Sequence, residues 1–252
     1  MQRSKRQRTI IAAVRGGQEV RAAELARSTG ASPMTIRRDL SELERSGVLR
    51  RTHGGAVALP SRGAYLPYAV RAVSGTAQKR AIGEAAAELV PEGSSVIIDD
   101  GTTCAAAAEA LAGRSITVLA LSVHIAAALG GGPGPRVLTP GGELDPEELS
   151  WSGHRTVREI ESFRADIALL GVCGWDEESG MTASTVQDAD VKRAILSSAR
   201  TSVALATSEK IGTSATFAVA QAEQVHTLVT DVLSAGHGAW LQAAGVEVIE
   251  TS

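Results

Sequence analysis

The chain has 252 residues, a formal net charge of −3, two cysteines and only 3% aromatic residues. Its length suits one large domain or a small domain followed by a medium-sized one. No apolar run reaches the ~18 residues that a membrane span needs, and the basic amino terminus lacks the apolar stretch of a secretory signal. We therefore expect a cytoplasmic protein without a membrane partner. Cys104 and Cys173 lie far apart without metal-ligand spacing, which favours reduced thiols over a metal or redox site.

The charge is distributed unevenly along the chain. Residues 1–60 contain twelve Arg or Lys and five Asp or Glu, a balance of +7. The other residues contain 13 basic and 23 acidic side chains, a balance of −10. Clustered Arg and Lys release counterions from DNA, so a cationic amino-terminal segment is typical of a protein that binds the phosphate backbone. Basic faces also merely solvate helices in many proteins, so the charge alone does not decide the function.

The first sixty residues read as four short elements. Apolar residues at helical spacing predict helices over 6–14, 21–28 and 33–46, and two short apolar segments around a Gly-Gly pair predict a hairpin over 48–59. Ser32 and Pro33 have the residue types of an N-cap and a first helical residue. Helix, glycine-containing turn, helix and ribbon is the organisation of a winged helix-turn-helix. We therefore predict a DNA-binding domain over 1–58.

The third helix is the predicted recognition helix. At 100° per residue, Ile36, Leu40 and Leu43 point inward within about 60° of one another. Recognition helices enter the major groove with their first turns, so Arg38 on the opposite face is the candidate for a bidentate contact to guanine. Arg37, Arg50 and Arg51 are expected to contact phosphates. The full predicted DNA-contacting set is Ser32, Met34, Thr35, Arg37, Arg38, Ser41, Arg50, Arg51 and His53.

This segment resembles the DeoR family of bacterial regulators. The resemblance lies in Glu24-Leu25-Ala26, in Ala31-Ser32-Pro33-Met34-Thr35-Ile36-Arg37-Arg38-Asp39-Leu40, in Leu43 and Gly47, and in His53-Gly54-Gly55-Ala56. Members often have Gln where this chain has Met34, so an apolar contact to a thymine methyl group becomes possible at that position.

The rest of the chain predicts a second, α/β domain over 76–252, after a linker over 59–75 that contains prolines and glycines but no period. Strands are predicted at 94–98, 116–120, 136–138, 167–172, 202–206, 227–230 and 246–249. Helices are predicted at 76–90, 103–111, 125–129, 188–199 and 238–243. This alternation indicates a mostly parallel sheet covered on both faces. Such sheets bind ligands beyond the carboxyl ends of their strands, where the strand order reverses.

A possible phosphate site follows the strand at 94–98, in the run Asp99-Asp100-Gly101-Thr102-Thr103. Backbone amides at a helix start, a permissive glycine and two hydroxyl groups can hold a phosphate, while the Asp99 carboxylate suits sugar hydroxyls. An ordinary N-cap made by Thr102 or Thr103 explains the same residues. Lys192 and Lys210, two of only four lysines, could neutralise the phosphate. Lys192 also forms an i, i+4 pair with Asp188 that stabilises a helix without any ligand.

The second domain is similar to the sugar-phosphate sensor domain of the same family. The resemblance rests on the DGTT turn, Pro140 to Leu144, Gly171 to Gly174, Lys192-Arg193-Ala194 and Lys210-Ile211-Gly212. It implies a Rossmann-like fold similar to that of ribose-5-phosphate isomerase and CoA-transferase proteins. The implied effector-binding residues are Asp99, Gly101, Thr102, Thr103, Gly141, Gly142, Lys192 and Lys210. The chain departs from the family at Ala120-Leu121-Ser122 and at Thr207. We therefore expect an effector that differs from common family ligands, or a weakened response.

These observations predict a transcriptional regulator, a repressor of a carbohydrate-metabolism operon whose binding to double-stranded operator DNA changes with a phosphorylated sugar. Two heads reading half-sites about 34 Å apart imply a homo-oligomer, at least a dimer. No cofactor is expected. The alternative is an isomerase-like enzyme acting on sugar phosphates, with the basic head as a targeting module and Asp99 or Asp188 as the general base, although no motif specifies either. An RNA-binding role is disfavoured because the head lacks aromatic stacking residues.

Overall fold

The computed structural model describes residues 3–15, 19–45, 49–58 and 68–251. The chain divides into two compact units, Met1–Ser74 and Gly75–Ser252. Positions 59–67 of the predicted linker lie outside the described residues, as do Gly47 and the ends of the predicted hairpin at 48 and 59. A short helix at Tyr68–Arg71 falls inside the segment predicted as linker, and its Val70 packs in the core of the first unit.

The first unit is a winged helix-turn-helix. Its elements are α1 (Arg3–Arg15), β1 (Val20–Arg21), α2 (Ala22–Thr29), α3 (Pro33–Arg45), β2 (Leu49–Arg51), β3 (Gly55–Ala58) and α4 (Tyr68–Arg71). The three predicted helices and the hairpin are confirmed, with ends shifted by one to three residues. The sequence did not predict β1, which joins β3 and β2 in an antiparallel sheet of order β1-β3-β2. A Cβ at Gly55 would collide with the Val20 carbonyl, so this pairing requires glycine there.

The core of the first unit confirms the predicted inward face of α3. Ile36, Leu40 and Leu43 are buried and pack with Ile10 of α1 and Leu25 of α2. Ser32 caps α3 as predicted, because its Oγ accepts a hydrogen bond from the Thr35 amide at 3.2 Å. Periodic apolar positions on three short helices thus enclose a small core of aliphatic side chains.

The second unit contains a seven-stranded parallel sheet. Its elements in chain order are α5 (Thr76–Glu88), β4 (Ser95–Ile98), α6 (Thr102–Leu111), β5 (Thr117–Ala120), α7 (Val123–Leu129), β6 (Arg136–Leu138), β7 (Glu143–Leu144), β8 (Trp151–Ser152), α8 (His154–Ser162), β9 (Ala165–Gly171), β10 (Gly174–Asp176), β11 (Gly180–Ala183), α9 (Val186–Ser198), β12 (Ala199–Leu205), β13 (Phe217–Ala220), β14 (Thr227–Thr230), α10 (Ala235–Ala243) and β15 (Glu247–Glu250). The sheet order is β15-β14-β12-β9-β4-β5-β6, and every neighbouring pair in it is parallel.

The order of the strands in this sheet determines where the expected ligand crevice lies. From β4 the chain proceeds outward through β5 and β6, and then returns to β9 on the other side of β4. The strand order therefore reverses between β4 and β9, whose carboxyl ends flank the expected ligand crevice. Ile98 packs in the cluster on one face and Ile97 in the cluster on the other, so both faces are covered, as predicted.

Three features of the second unit were not predicted. Strands β10, β11 and β13 form a small antiparallel sheet, β7 pairs with β8, and helix α8 precedes β9. These strands are two to four residues long, and β10 and β11 contain glycine, so none of them shows an extended alternation. Helix α8 fully buries only Thr156 and Ile160, which leaves it without a wide apolar stripe.

Candidate functional site

The outward face of α3 presents the predicted base-reading residues together. Arg37 and Arg38 are exposed, and the Met34 side chain is 65% exposed in spite of its apolar character. Arg50 on β2 and His53 in the adjoining turn are also exposed. An exposed methionine beside two arginines is consistent with a surface that a partner covers.

The structure gives Ser41 and Arg51 a different arrangement from the predicted one. Arg51 Nη1 donates to Ser41 Oγ at 2.8 Å, and the Arg51 amide donates to a Glu44 carboxylate oxygen at 2.8 Å. Ser41 Oγ in turn donates to the Arg37 carbonyl at 2.9 Å. Both side chains thus join β2 to α3 within the head, because strand and helix pack closely enough for a long arginine to bridge them. Their contacts to DNA stay a prediction.

At the strand-order reversal the structure places a buried ion cluster. Asp99 follows β4 directly, and its Oδ2 accepts a hydrogen bond from the Gly171 amide at the end of β9 at 3.0 Å. The Lys192 ammonium lies 2.5 Å from Asp99 Oδ2, 2.9 Å from Asp188 Oδ1 and 3.7 Å from Asp100 Oδ1. The side chains of Lys192 and Asp99 are each only 1% exposed.

The expected flexibility of Lys192 is not found, because its ammonium is buried and paired with carboxylates. Its charge is already balanced by carboxylates of the same chain, one of them 93 positions away in the sequence. Oxygens of Asp99, Asp100 and Asp188 lie within 4.8 Å of one another, a spacing that suits a cation, and Lys192 supplies that cation. Direct contact of Lys192 with a ligand stays a prediction.

The electrostatics of the cluster follow from its burial. Burial raises the pKa of Asp99 to about 7, although the Lys192 ammonium acts in the opposite direction. Burial by itself lowers the pKa of Lys192, but the three carboxylates outweigh it and raise that pKa well above its ordinary value. Burial also raises the pKa of the neighbouring Cys173 thiol to about 12, and Asp188, which accepts its hydrogen bond at 3.4 Å, adds to the shift. Cys173 is therefore a protonated thiol and a poor nucleophile.

Gly101 begins the turn beside this cluster. It occupies the N-cap position of α6 with φ +96° and ψ 165°, a backbone conformation that favours glycine. Gly101 itself has no side chain with which to cap this helix. The alternative expectation, an N-cap made by Thr102 or Thr103, is therefore wrong, because both threonines already lie within the helix. Thr102 is buried and Thr103 is half-buried.

The two glycines of the predicted 140–144 loop have a packing role. The Gly141 amide donates to Glu159 Oε2 at 2.8 Å, and the Gly141 carbonyl accepts from Thr156 Oγ1 at 2.8 Å. Gly142 has φ +133°, and the Thr156 side chain fills the space that a Cβ would need. The Gly141 amide is thus already paired with α8, and contact of Gly141 with an effector stays a prediction. Contact of Gly142 with an effector stays a prediction.

The remaining predicted positions lie beyond other strands of the same sheet edge. Lys210 ends a short 3₁₀ turn that follows β12 and is half-buried. Ser122, one of the departures from the family pattern, caps α7, because its Oγ accepts from the Ile125 amide at 3.3 Å. Leu121 is buried. The His237 imidazole packs against Gly212, which follows Lys210 by two residues in the sequence.

Comparison with known proteins identifies the family. Residues 6–62 match the DeoR-like helix-turn-helix domain, and residues 74–232 match the DeoR C-terminal sensor domain. The chain belongs to the DeoR family. The glycerol-3-phosphate regulon repressor of Escherichia coli is 32% identical to it over 232 residues, which cover 92% of each chain. The transcriptional repressor AccR of Agrobacterium fabrum is 34% identical over 229 residues, 90% of this chain and 88% of that one.

Membership of the DeoR family confirms the predicted class. The regulator GolR of Listeria innocua is a further relative, 31% identical over 227 residues, 90% of this chain and 89% of that one. The chain is thus a DNA-binding transcriptional regulator, and its relatives are regulators rather than enzymes. Ribose-5-phosphate isomerase A of Neisseria gonorrhoeae is similar at a TM-score of 0.39 and 20% identity, over 54% of this chain and 53% of that one. Within the described ranges, no helix is long and apolar enough to cross a membrane.

Proposed function

We propose that the second unit of this DeoR-family repressor binds a phosphorylated sugar at the crevice between β4 and β9, and that this ligand changes the affinity of the head for its operator. The observation that carries the proposal is Gly101, whose backbone at φ +96° begins α6 at the strand-order reversal between β4 and β9. A helix start of this kind offers backbone amides and the positive end of the helix dipole to an anion. The regulated genes would belong to a carbohydrate operon.

The charges around the crevice suggest how such a ligand would lie. Its phosphate would meet the amides after Gly101, the Thr103 hydroxyl and Lys210. Its sugar hydroxyls would donate to Asp100 and Asp188, whose side chains are 17% and 21% exposed. The altered positions Ser122 and Thr207 would lie toward the sugar, so the effector would differ from that of relatives. The printed name of one relative, the glycerol-3-phosphate regulon repressor, supports a phosphorylated polyol as the ligand class.

A thermal-shift screen tests the ligand proposal. The purified chain is heated with a panel of sugar phosphates and with the same sugars unphosphorylated. A ligand at 100 times its Kd should stabilise the native state by about 2.7 kcal/mol, and only the phosphorylated forms should do so. Lys210→Ala should abolish the shift, whereas Lys5→Ala, which removes an exposed lysine of the head, should keep it.

Two outcomes would contradict this proposal. If the free sugars stabilise the chain and their phosphate esters do not, the proposal that the ligand is phosphorylated is wrong. Conversion of the bound sugar phosphate into an isomer by the purified chain would favour the enzyme alternative, because a sensor releases its ligand unchanged.

For the head, we propose that Arg38 reads a base and that Arg37 and Arg50 contact phosphates, in a homodimer that spans two half-sites. The probe is a duplex selected by the wild-type chain from a random DNA library. Arg38→Ala should abolish retention of this duplex at physiological salt while the circular dichroism spectrum stays unchanged. Arg27→Ala removes the same charge from α2 and should cost only salt-dependent affinity. An Arg38→Ala chain that protects the wild-type footprint would refute the assignment.

A further inference from the structure

The orientation of α3 in the head depends on more than its apolar face. Ile36, Leu40 and Leu43 bury α3 against the rest of the unit, but aliphatic contacts are non-directional and tolerate small rotations and slides. A bidentate contact to a base edge has hydrogen-bond geometry and tolerates little displacement. Something directional must therefore hold α3 if its outward side chains are to meet their bases.

An ion pair between α1 and α3 provides a directional contact of this kind. Arg6 Nε lies 2.5 Å from Asp39 Oδ2, and Arg6 Nη2 lies 3.2 Å from Asp39 Oδ1. The two parallel hydrogen bonds form the fork that guanidinium and carboxylate groups make, which fixes direction as well as distance. The Asp39 side chain is 4% exposed and that of Arg6 is 13% exposed. The pair is thus withdrawn from solvent and from competing ions.

A second hydrogen bond reinforces the first along the same two helices. Gln7 Nε2, adjacent in sequence to Arg6, donates to Glu42 Oε2 at 3.0 Å. Asp39 and Glu42 are three residues apart and so lie on the same side of α3. Two polar contacts one turn apart oppose both rotation and sliding of α3 against α1.

The charge of Asp39 gives a second reason for its pairing with Arg6. A carboxylate beside Arg38, on a helix that approaches DNA phosphates, opposes binding unless its charge is neutralised. Arg6 neutralises it inside the head. Arg6 belongs to the basic count of residues 1–60, and in the structure its guanidinium pairs with Asp39.

We propose that Asp39, held by Arg6, is a positioning residue for operator recognition. It does not touch DNA. It fixes the angle at which α3 presents Arg38 and its neighbours, and so it sets the ratio of operator affinity to affinity for unrelated DNA.

The test compares Asp39→Asn with Glu24→Gln in the full-length chain. Both changes remove one negative charge from the head, and glutamine preserves the capping position that Glu24 holds in α2. Affinity is measured for the duplex selected by the wild-type chain and for a duplex of shuffled sequence. Asp39→Asn should lower the ratio of the two affinities by about tenfold or more, with no loss of affinity for the shuffled duplex. Glu24→Gln should leave the ratio unchanged.

A variant that keeps the buried charges balanced guards against unfolding. Arg6→Lys retains the ion pair but cannot form the fork, so the head should stay folded by circular dichroism while the ratio still falls. If Asp39→Asn does not fold, the ratio of the two affinities measured for Arg6→Lys tests the proposal instead. The proposal is overturned if the folded variants keep the wild-type ratio, or if affinity for both duplexes falls together in proportion to the unfolded fraction.

Discussion

Lys192 shows what a single residue does at the edge of the parallel sheet. Its ammonium joins α9 to the end of β4 through Asp99, whose carboxylate also accepts a hydrogen bond from the Gly171 amide at the end of β9. A buried ion pair of this kind contributes little net stability as a pair, since desolvation opposes the Coulomb attraction. Removing one partner is costly, because the carboxylates then remain buried without a counter-charge.

We therefore predict that Lys192→Met lowers the free energy of unfolding by about 3–5 kcal/mol. Arg193→Met is the matched control, because the neighbouring Arg193 makes a half-exposed ion pair with Asp190 and should cost about 0–1 kcal/mol. Urea unfolding followed by circular dichroism measures both. Equal losses in the two variants would contradict the counter-ion role of Lys192.

The sequence could indicate Lys192 as a functional position but not its surroundings. The Asp188–Lys192 spacing is visible on a predicted helix, and the DGTT turn is visible after a predicted strand. The distance between Asp99 and Lys192 depends on the order of strands in the sheet, which local periodicity does not encode. For the same reason Arg6 was counted as a DNA-binding charge, although its partner Asp39 lies 33 residues away.

At the scale of elements, α5 and α6 pack unusually closely at Gly83. A Cβ at this position would lie 2.6 Å from the backbone of Ala106 and Ala107, which cannot move without displacing α6. The predicted bounds of α5 agree with the structure to within two residues, because its buried positions Ile82, Gly83, Ala86 and Ala87 recur at helical spacing. The small antiparallel sheet was missed, because each of its strands is too short to alternate.

Gly83→Ala should therefore destabilise the second unit by about 1–3 kcal/mol, through overpacking against α6. Gly238→Ala gives the opposite expectation, because this glycine lies within α10 and nothing surrounds its Cβ position. Alanine there should stabilise the native state by about 0.5–1 kcal/mol, since it lowers the entropy of the unfolded chain. Thermal unfolding of the two variants provides the measurement, and shifts of the same sign would show that the packing argument fails.

At the scale of the whole molecule, each of the two units has its own core. The core residues around Ile36 and Leu40 belong to the first unit, and those around Ile98 belong to the second. Separate cores predict that each unit unfolds in a transition of its own. The charge asymmetry of the chain accompanies this division, with the basic residues concentrated in the first unit.

Calorimetry of the full-length chain should accordingly resolve two transitions. Leu40→Ala, which leaves a cavity in the first core, should lower only one of them, by an amount that corresponds to about 2–5 kcal/mol. Gly83→Ala should lower only the other. A single transition that both substitutions shift together would show that the units unfold as one.

The open edges of the parallel sheet affect how this regulator behaves at high concentration. In the described chain β15 and β6 each pair with one strand only, which leaves their outer backbone donors and acceptors without a neighbouring strand in the sheet. Such edges recruit strands from other molecules into aggregates. Glu247 and Glu250 are exposed on β15, and Arg136 is exposed on the three-residue β6. Charged side chains on β15 and the short length of β6 oppose pairing of these edges with a strand of another molecule.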